Sequence, residues 1–245
     1  MRGSPEERAA VKKSFERMNL KEKAAYIFAY YKLPLFTAFV VLAVAVSSLY
    51  HYITKKEEVL YLAYVNFAPG ETLTGELSDE YLDFTGRDPQ KTEVLIYDAL
   101  YIDEDPALAD HQYAYASRMK ILGAINAGKM DVAIMNENAF KQMSASGLLL
   151  KMDMVLIPDP SLAEQIQPYV VEGTVIIEDN SVEYNLNEAD TYEAVTEQVE
   201  NAIDVSEFPV FVNAGIKDKL YIGVIGNTKH IDEVRTYLAY LLNHN

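Results

Sequence analysis

Residues 33–54, LPLFTAFVVLAVAVSSLYHYIT, contain no Lys, Arg, Asp or Glu, with His51 counted as neutral. As a helix rising about 1.5 Å per residue, the stretch reaches roughly 33 Å, enough to cross a hydrocarbon core of about 30 Å. Lys32 precedes it, and Lys55, Lys56, Glu57 and Glu58 follow it. The chain therefore divides into a short basic head, a span and a large tail. A buried helix of a soluble domain is rarely this long without charge. A cleaved signal peptide is the stronger rival, because Ala43-Val44-Ala45 has the form of a cleavage site. Against it, the preceding 32 residues are long for the basic leader of such a peptide and carry a helical pattern. With no Cys in the chain, a lipid-modified cysteine anchor is ruled out. The expectation is a retained single-pass membrane helix.

Flanking charge predicts its orientation. Residues 1–32 carry eight Lys/Arg against four Glu, and only Lys55 and Lys56 stand close on the far side. The positive-inside rule then predicts a cytoplasmic N-terminus and an extracellular C-terminal domain over residues 57–245. Tyr26, Tyr30 and Tyr31 before the span, with Tyr50 and Tyr52 at its end, suit the membrane interfaces, where amphipathic rings settle at headgroup level.

Residues 57–245 hold 33 Asp/Glu (37 in the chain less the four of the head) and 11 Lys/Arg, a net charge near −22. That field repels nucleic acid and anionic lipid, so no nucleic-acid partner is expected. It is either a solvated surface or a face for cationic ligands. Without Cys there are no disulfides and no thiol chemistry, and an external domain must be held by its core; 189 residues are enough to bury one.

In the head, residues 5–18 form an amphipathic helical pattern, with Ala10, Val11, Phe15 and Met18 near one face. Asn19 with Glu22 resembles a capping box, predicting a helix start there. The following basic, aromatic segment is either an interfacial helix or a plain extension of the span. Beyond the span, residues 59–67, 92–101, 131–135 and 220–225 read as buried strands. Helices are predicted at 77–84, 110–126, 138–146, 191–203 and 231–242, the last with Val234, Tyr237, Leu238, Leu241 and Leu242 on one stripe. Residues 174–184 read as a hairpin turning near Asp179-Asn180, and Pro158, Pro160 and Pro168 break up residues 157–170. Continuous apolar strands alternating with amphipathic helices predict an α/β fold, a mixed but mainly parallel sheet flanked by helices.

Catalytic signatures are missing. No H-E-x-x-H, P-loop, G-x-G-x-x-G or G-x-S-x-G occurs, and the four His are scattered. His230 precedes a helix and reads as part of its cap. Asp103, Glu104, Asp105 and Asp110 lack the spacing and glycine of a calcium loop, so no metal and no cofactor is expected. In a parallel sheet, ligands meet the carboxyl ends of the strands. Those ends carry Asn66, Asp98, Asn136 and Glu137, which either bind a ligand or make turns and caps.

Residues 121–153, ILGAINAGKMDVAIMNENAFKQMSASGLLLKMD, resemble the extracytoplasmic solute-binding proteins of ABC transporters, of the two-lobed periplasmic-binding type. The shared pattern is a helix, a small-residue and glycine turn, an Asp-Val strand, then a helix leading to Gly-Leu and an apolar-Asp element. Residues 219–242 similarly resemble that family's late strand, Asn-Thr-Lys connection and helix. The resemblance implies a lobe whose strand tips face a cleft. The chain departs from the pattern in its transmembrane anchor and in the shortness of residues 154–207, too few for a normal second lobe, so the lobe is read as reduced. The implied function is a non-catalytic, membrane-anchored binding or accessory subunit beside an ABC-type transporter, with the membrane and a transporter subunit as partners. A structural or assembly protein of the cell envelope is the alternative, and an extracytoplasmic enzyme the third class.

Overall fold

The computed structural model describes residues 12–15, 17–102, 111–178 and 194–244. The chain forms two compact units, Met1–Lys55 and Lys56–Asn245.

The first unit is dominated by helix α1, Leu20–Thr54. Its start is the capping box expected from sequence: the Asn19 side chain accepts from the Glu22 backbone N–H, and Glu22 accepts from the Asn19 N–H, each at 2.9 Å. The helix runs unbroken through Pro34, so the aromatic segment before the span extends it. Within it, Lys32–Tyr52 is long and apolar enough to cross a membrane, with a mean hydropathy of 2.1. Two threonine hydroxyls in and just after this stretch bond back to the helix's own carbonyls. Thr37 donates to the Leu33 carbonyl and Thr54 to the Tyr50 carbonyl. Tyr50 and Tyr52 are exposed near its end; the side chains of Tyr26, Tyr30 and Tyr31 lie outside what is described.

The second unit is a six-stranded open sheet. The strands are β1 Glu57–Val65, β2 Thr92–Leu100, β3 Val132–Asn136, β4 Val170–Glu178, β5 Val195–Asp204 and β6 Leu220–Val224. The helices are α2 Glu71–Phe84, α3 His111–Asn126, α4 Glu137–Ala145, α5 Met152–Leu156, α6 Pro160–Ile166, α7 Pro209–Asn213 and α8 Ile231–Asn243. Sheet order is β2-β1-β3-β6-β5-β4. β1 pairs parallel with β2 and β3, whereas β3–β6, β6–β5 and β5–β4 are antiparallel. The sheet is therefore mixed rather than mainly parallel. Parallel pairing holds where the helical crossovers α2 and α3 return the chain to the same end. It stops at β3–β6, beyond which the pairs are antiparallel, and the outer residues of β4 and β5 are exposed, an arrangement that antiparallel pairs tolerate.

Both faces of the central strands are covered, which explains their continuous apolar runs. Leu60, Leu62, Tyr64, Val132 and Ile134 pack with α2 and α8 residues, including Leu77, Tyr81, Tyr237 and Leu241. Ala63, Val65, Ala133 and Met135 pack with Ile121 and Ile125 of α3 and Phe140 and Met143 of α4.

Two elements differ from expectation. From Val195 on, the helix expected at 191–203 is strand β5, and residues 191–193 lie outside the described residues. Val195, Val199, Ala202 and Ile203 fit a helical stripe, but Val199, Asn201 and Ile203 alternate equally well, and these three are buried. Pairing with β4 and β6 decides between the two periods. The expected hairpin at 174–184 contributes its first arm to β4, but β4 pairs with β5, from Val170↔Ile203 to Glu178↔Val195. A local turn signal marks where a strand stops, not which strand it joins; Asp179-Asn180 itself lies outside the described residues. The proline-broken stretch is partly helical: Asp159 caps α6 by accepting from the Leu162 N–H at 3.1 Å, with Pro160 in the first turn.

Candidate functional site

The carboxyl ends of β1 and β2 form a cleft with the start of α2. β1 ends at Asn66, which takes a left-handed conformation (φ 52°). Its side chain clamps the backbone of Ile102, accepting from its N–H and donating to its carbonyl, both at 2.7 Å. β2 turns at Ala99, also left-handed (φ 51°), beside the exposed Asp98. α2 begins at Gly70, where no side chain caps the helix. These endings leave a space of about 310 Å³ whose walls include Tyr64, Phe67, Pro69, Thr74, Ile96 and Asp98. That is the low end of small-molecule pockets.

Tyr64 is the unusual member. It is 1 % exposed, and its hydroxyl is buried with no hydrogen-bond partner among the described residues. Burial, and then the negative charge of Asp98, raise its pKa, so the hydroxyl stays protonated. Its ring meets Phe67 edge to face at 5.8 Å. Thr74 donates its hydroxyl to the Gly70 carbonyl at 3.0 Å.

Of the four ligand candidates read from sequence, Asp98 alone lines this cleft. Asn66 shapes the loop beside it, and Asn138 Nδ2 reaches the same Ile102 carbonyl at 3.5 Å. Asn136 caps α4, accepting from the Ala139 N–H at 3.0 Å. Glu137 pairs with Lys141 at 2.8 Å, and that bond and charge hold its carboxyl below the usual range. Tyr64 was not legible as a site residue, because a Tyr inside an apolar run reads as core.

At the amino end of β3, Asp131 is fully buried and gathers donors from three places. It accepts from the Tyr61 N–H at 3.0 Å and the Thr228 hydroxyl at 2.5 Å, and its Oδ2 lies 3.0 Å from His230 Nδ1. His230 occupies the cap position of α8, but its side chain makes no capping bond and faces Asp131 instead. Tyr61 donates to Glu58 at 2.6 Å, and Lys129 pairs with that carboxylate at 3.0 Å. This knot ties β1, β3 and the β6–α8 connection together, and Asp131 spends its acceptors within it.

A different surface surrounds α3. Tyr115 (67 %), Met119 (51 %) and Leu122 (43 %) are exposed at i, i+4 and i+7, one stripe of the helix. α3 contains Arg118 and Lys120 but no acidic residue. A groove of about 200 Å³ runs beside it, lined by Ile121, Leu122 and Met143 among others. Arg118 donates to Gln142 at 2.8 Å across this groove.

Among the described residues no cluster of three or more His, Cys, Asp or Glu could hold a metal ion. The acidic run Asp103, Glu104, Asp105 and Asp110 lies outside them. No protein-family model, no curated protein and no solved structure matches the chain.

Proposed function

We propose that the chain is a single-pass, membrane-anchored extracytoplasmic binding or accessory subunit that docks a membrane-protein partner of the ABC-transporter kind. Its head faces the cytoplasm and its α/β unit lies outside. The observation that carries this reading is α3: an exposed apolar stripe with two cations and no acid, on a unit whose net charge is near −22. Exposed apolar surface on an otherwise charged protein marks an interaction site. Charge complementarity specifies the occupant as a partner segment with an apolar ridge flanked by carboxylates. The apolar helix adds a tether, and tethering raises the effective concentration of a neighbour into the millimolar range.

The element order agrees with the sequence pattern on which the likeness to solute-binding proteins rests. Residues 121–153 fold as a helix end, a Gly128 turn (φ 65°), β3, α4 and a Gly147 turn (φ 65°). Residues 219–242 fold as β6 followed by α8. The intervening β4 and β5 extend the same sheet.

Photo-crosslinking residues placed at Met119 and at Asp232 of α8, in the full-length protein in its native membrane, test the reading. Met119 should trap a discrete integral membrane protein and Asp232 should not. Combining Arg118→Glu with Lys120→Glu should weaken that adduct several-fold. Adducts from Met119 only with a second copy of the chain, or none, would overturn the partner assignment. Adducts only with soluble envelope-assembly proteins would favour the alternative reading.

A further inference from the structure

We propose that the cleft at the carboxyl ends of β1 and β2 binds a small organic ammonium ion with an apolar body, its charge held by Asp98 and a polar group held by the Tyr64 hydroxyl. The proposal extends the binding half of the reading above and rests on it, but it concerns a different surface from α3.

Three features of the cleft converge. The first is Tyr64. Buried polar groups in folded proteins are almost always paired, and an exception calls for a partner that is not part of the chain. Tyr64 lines the cleft, and its hydroxyl is buried and has no partner among the described residues. Both of its roles, donor and acceptor, are unfilled among those residues.

The second is Asp98. Its carboxylate stands at the exposed rim and makes no ion pair among the described residues. Lys120 reaches the backbone carbonyl of Asp98 at 3.4 Å and lies over the Tyr97 ring at 5.8 Å. Alternation along β2 puts Tyr97 and Asp98 on opposite faces, so the lysine does not compete within the cleft.

The third is the lining. Phe67, Ile96 and Pro69 present apolar walls, and the lining includes the aromatic residues Tyr64 and Phe67, of a type that attracts cations. The surrounding unit carries a strong negative field that concentrates cations.

The competing ligand is a carboxylate, drawn to the uncapped start of α2. Glu71 already occupies that first turn, and Asp98 faces the same space, so an anion would meet two carboxylates. A cation meets none of this cost. The cleft is small and open, so part of the ligand stays hydrated, and its dissociation constant should be weaker than about 1 μM.

The test is titration calorimetry of the full-length protein in detergent micelles against n-butylammonium, tetramethylammonium, butyrate and n-butanol. The expected result is binding of n-butylammonium, weakened by added salt, with no binding of butyrate. Asp98→Asn should weaken it about ten-fold or more and Tyr64→Phe several-fold. Both variants should keep the fold, because the Asp98 side chain is exposed and the Tyr64 hydroxyl has no partner among the described residues. No heat with either ammonium ion, preference for butyrate, or affinity unchanged by Asp98→Asn would overturn the proposal. Any of those results leaves the α3 crosslinking outcome untouched, so failure of the ligand and failure of the partner reading are separable.

Discussion

Replacing Gly173 with Ala probes the join between α4 and the antiparallel half of the sheet. Gly173 is buried in β4 opposite Val199 of β5. A Cβ added there would lie 2.9 Å from Ser144 Cβ and 2.5 Å from Asn201 Oδ1, with Ser144 Oγ closer still. Asn201 Oδ1 would have to retreat by about 0.9 Å to reach ordinary contact at 3.4 Å. Neither neighbour can yield cheaply. Ser144 is fully buried on α4, accepts from Asn201 Nδ2 at 2.8 Å and donates to the Thr174 carbonyl at 3.1 Å. Overpacking a tight core costs about 1–3 kcal/mol, and leaving one of these buried groups unpaired costs a further ~1–3 kcal/mol. The expected loss is about 2–6 kcal/mol, a large part of the roughly 5–15 kcal/mol that holds a domain together. In a protein of this size it should lower the melting temperature by roughly 4–24 °C. Urea unfolding of the full-length protein in detergent, followed by circular dichroism, gives the measurement. Adding Ser144→Gly to the variant removes both Ser144 atoms from the clash and should recover more than the two single effects predict. A Gly173→Ala protein within about 0.5 kcal/mol of the parent, the scatter of neutral surface changes, would refute the packing argument.

Two further outcomes follow from the same geometry and charge. Burial works to raise the pKa of Glu233, but bonds from Arg87 and the Tyr81 hydroxyl outweigh it and hold the carboxyl below its usual range. A depressed carboxylate adds stability above its unfolded pKa of about 4.3 and loses it as pH falls through the folded value. The stability gap between the parent and Glu233→Gln should therefore be widest near neutrality and shrink below about pH 4, and a gap constant from pH 7 to 3 in urea titrations would contradict this. For topology, an impermeant thiol reagent on intact cells should label Ser181→Cys and spare Ser14→Cys, and intact mass should show the anchor retained; the reverse labelling, or a mature N-terminus at Val46, would overturn the assignment.

The sequence alone was enough to locate the membrane-length apolar helix, its Asn19–Glu22 start and the strands that carry the core. These features are written locally. A strand covered on both faces must be apolar where it is covered, as Val59–Val65 of β1 and Val132–Met135 of β3 are, and a helix covered on one face must repeat its apolar stripe, as α8 does. The position of Asp98 near the end of a parallel strand was also legible, because the apolar run of β2 stops there. What depended on distant chain was decided by tertiary structure. β5 satisfies both the helical and the strand period, and only its neighbours β4 and β6 choose between them. Asp131 and His230 are 99 residues apart, and the pairing of β3 with β6 brings them together. Tyr64 looks like any core tyrosine in the run VLYLAYVNF; only the packing of α2 and the left-handed turns at Asn66 and Ala99 sets it in the wall of a cleft with its buried hydroxyl unpaired among the described residues. Local pattern determines which face of an element is buried, but what stands opposite a side chain depends on the elements that pack there.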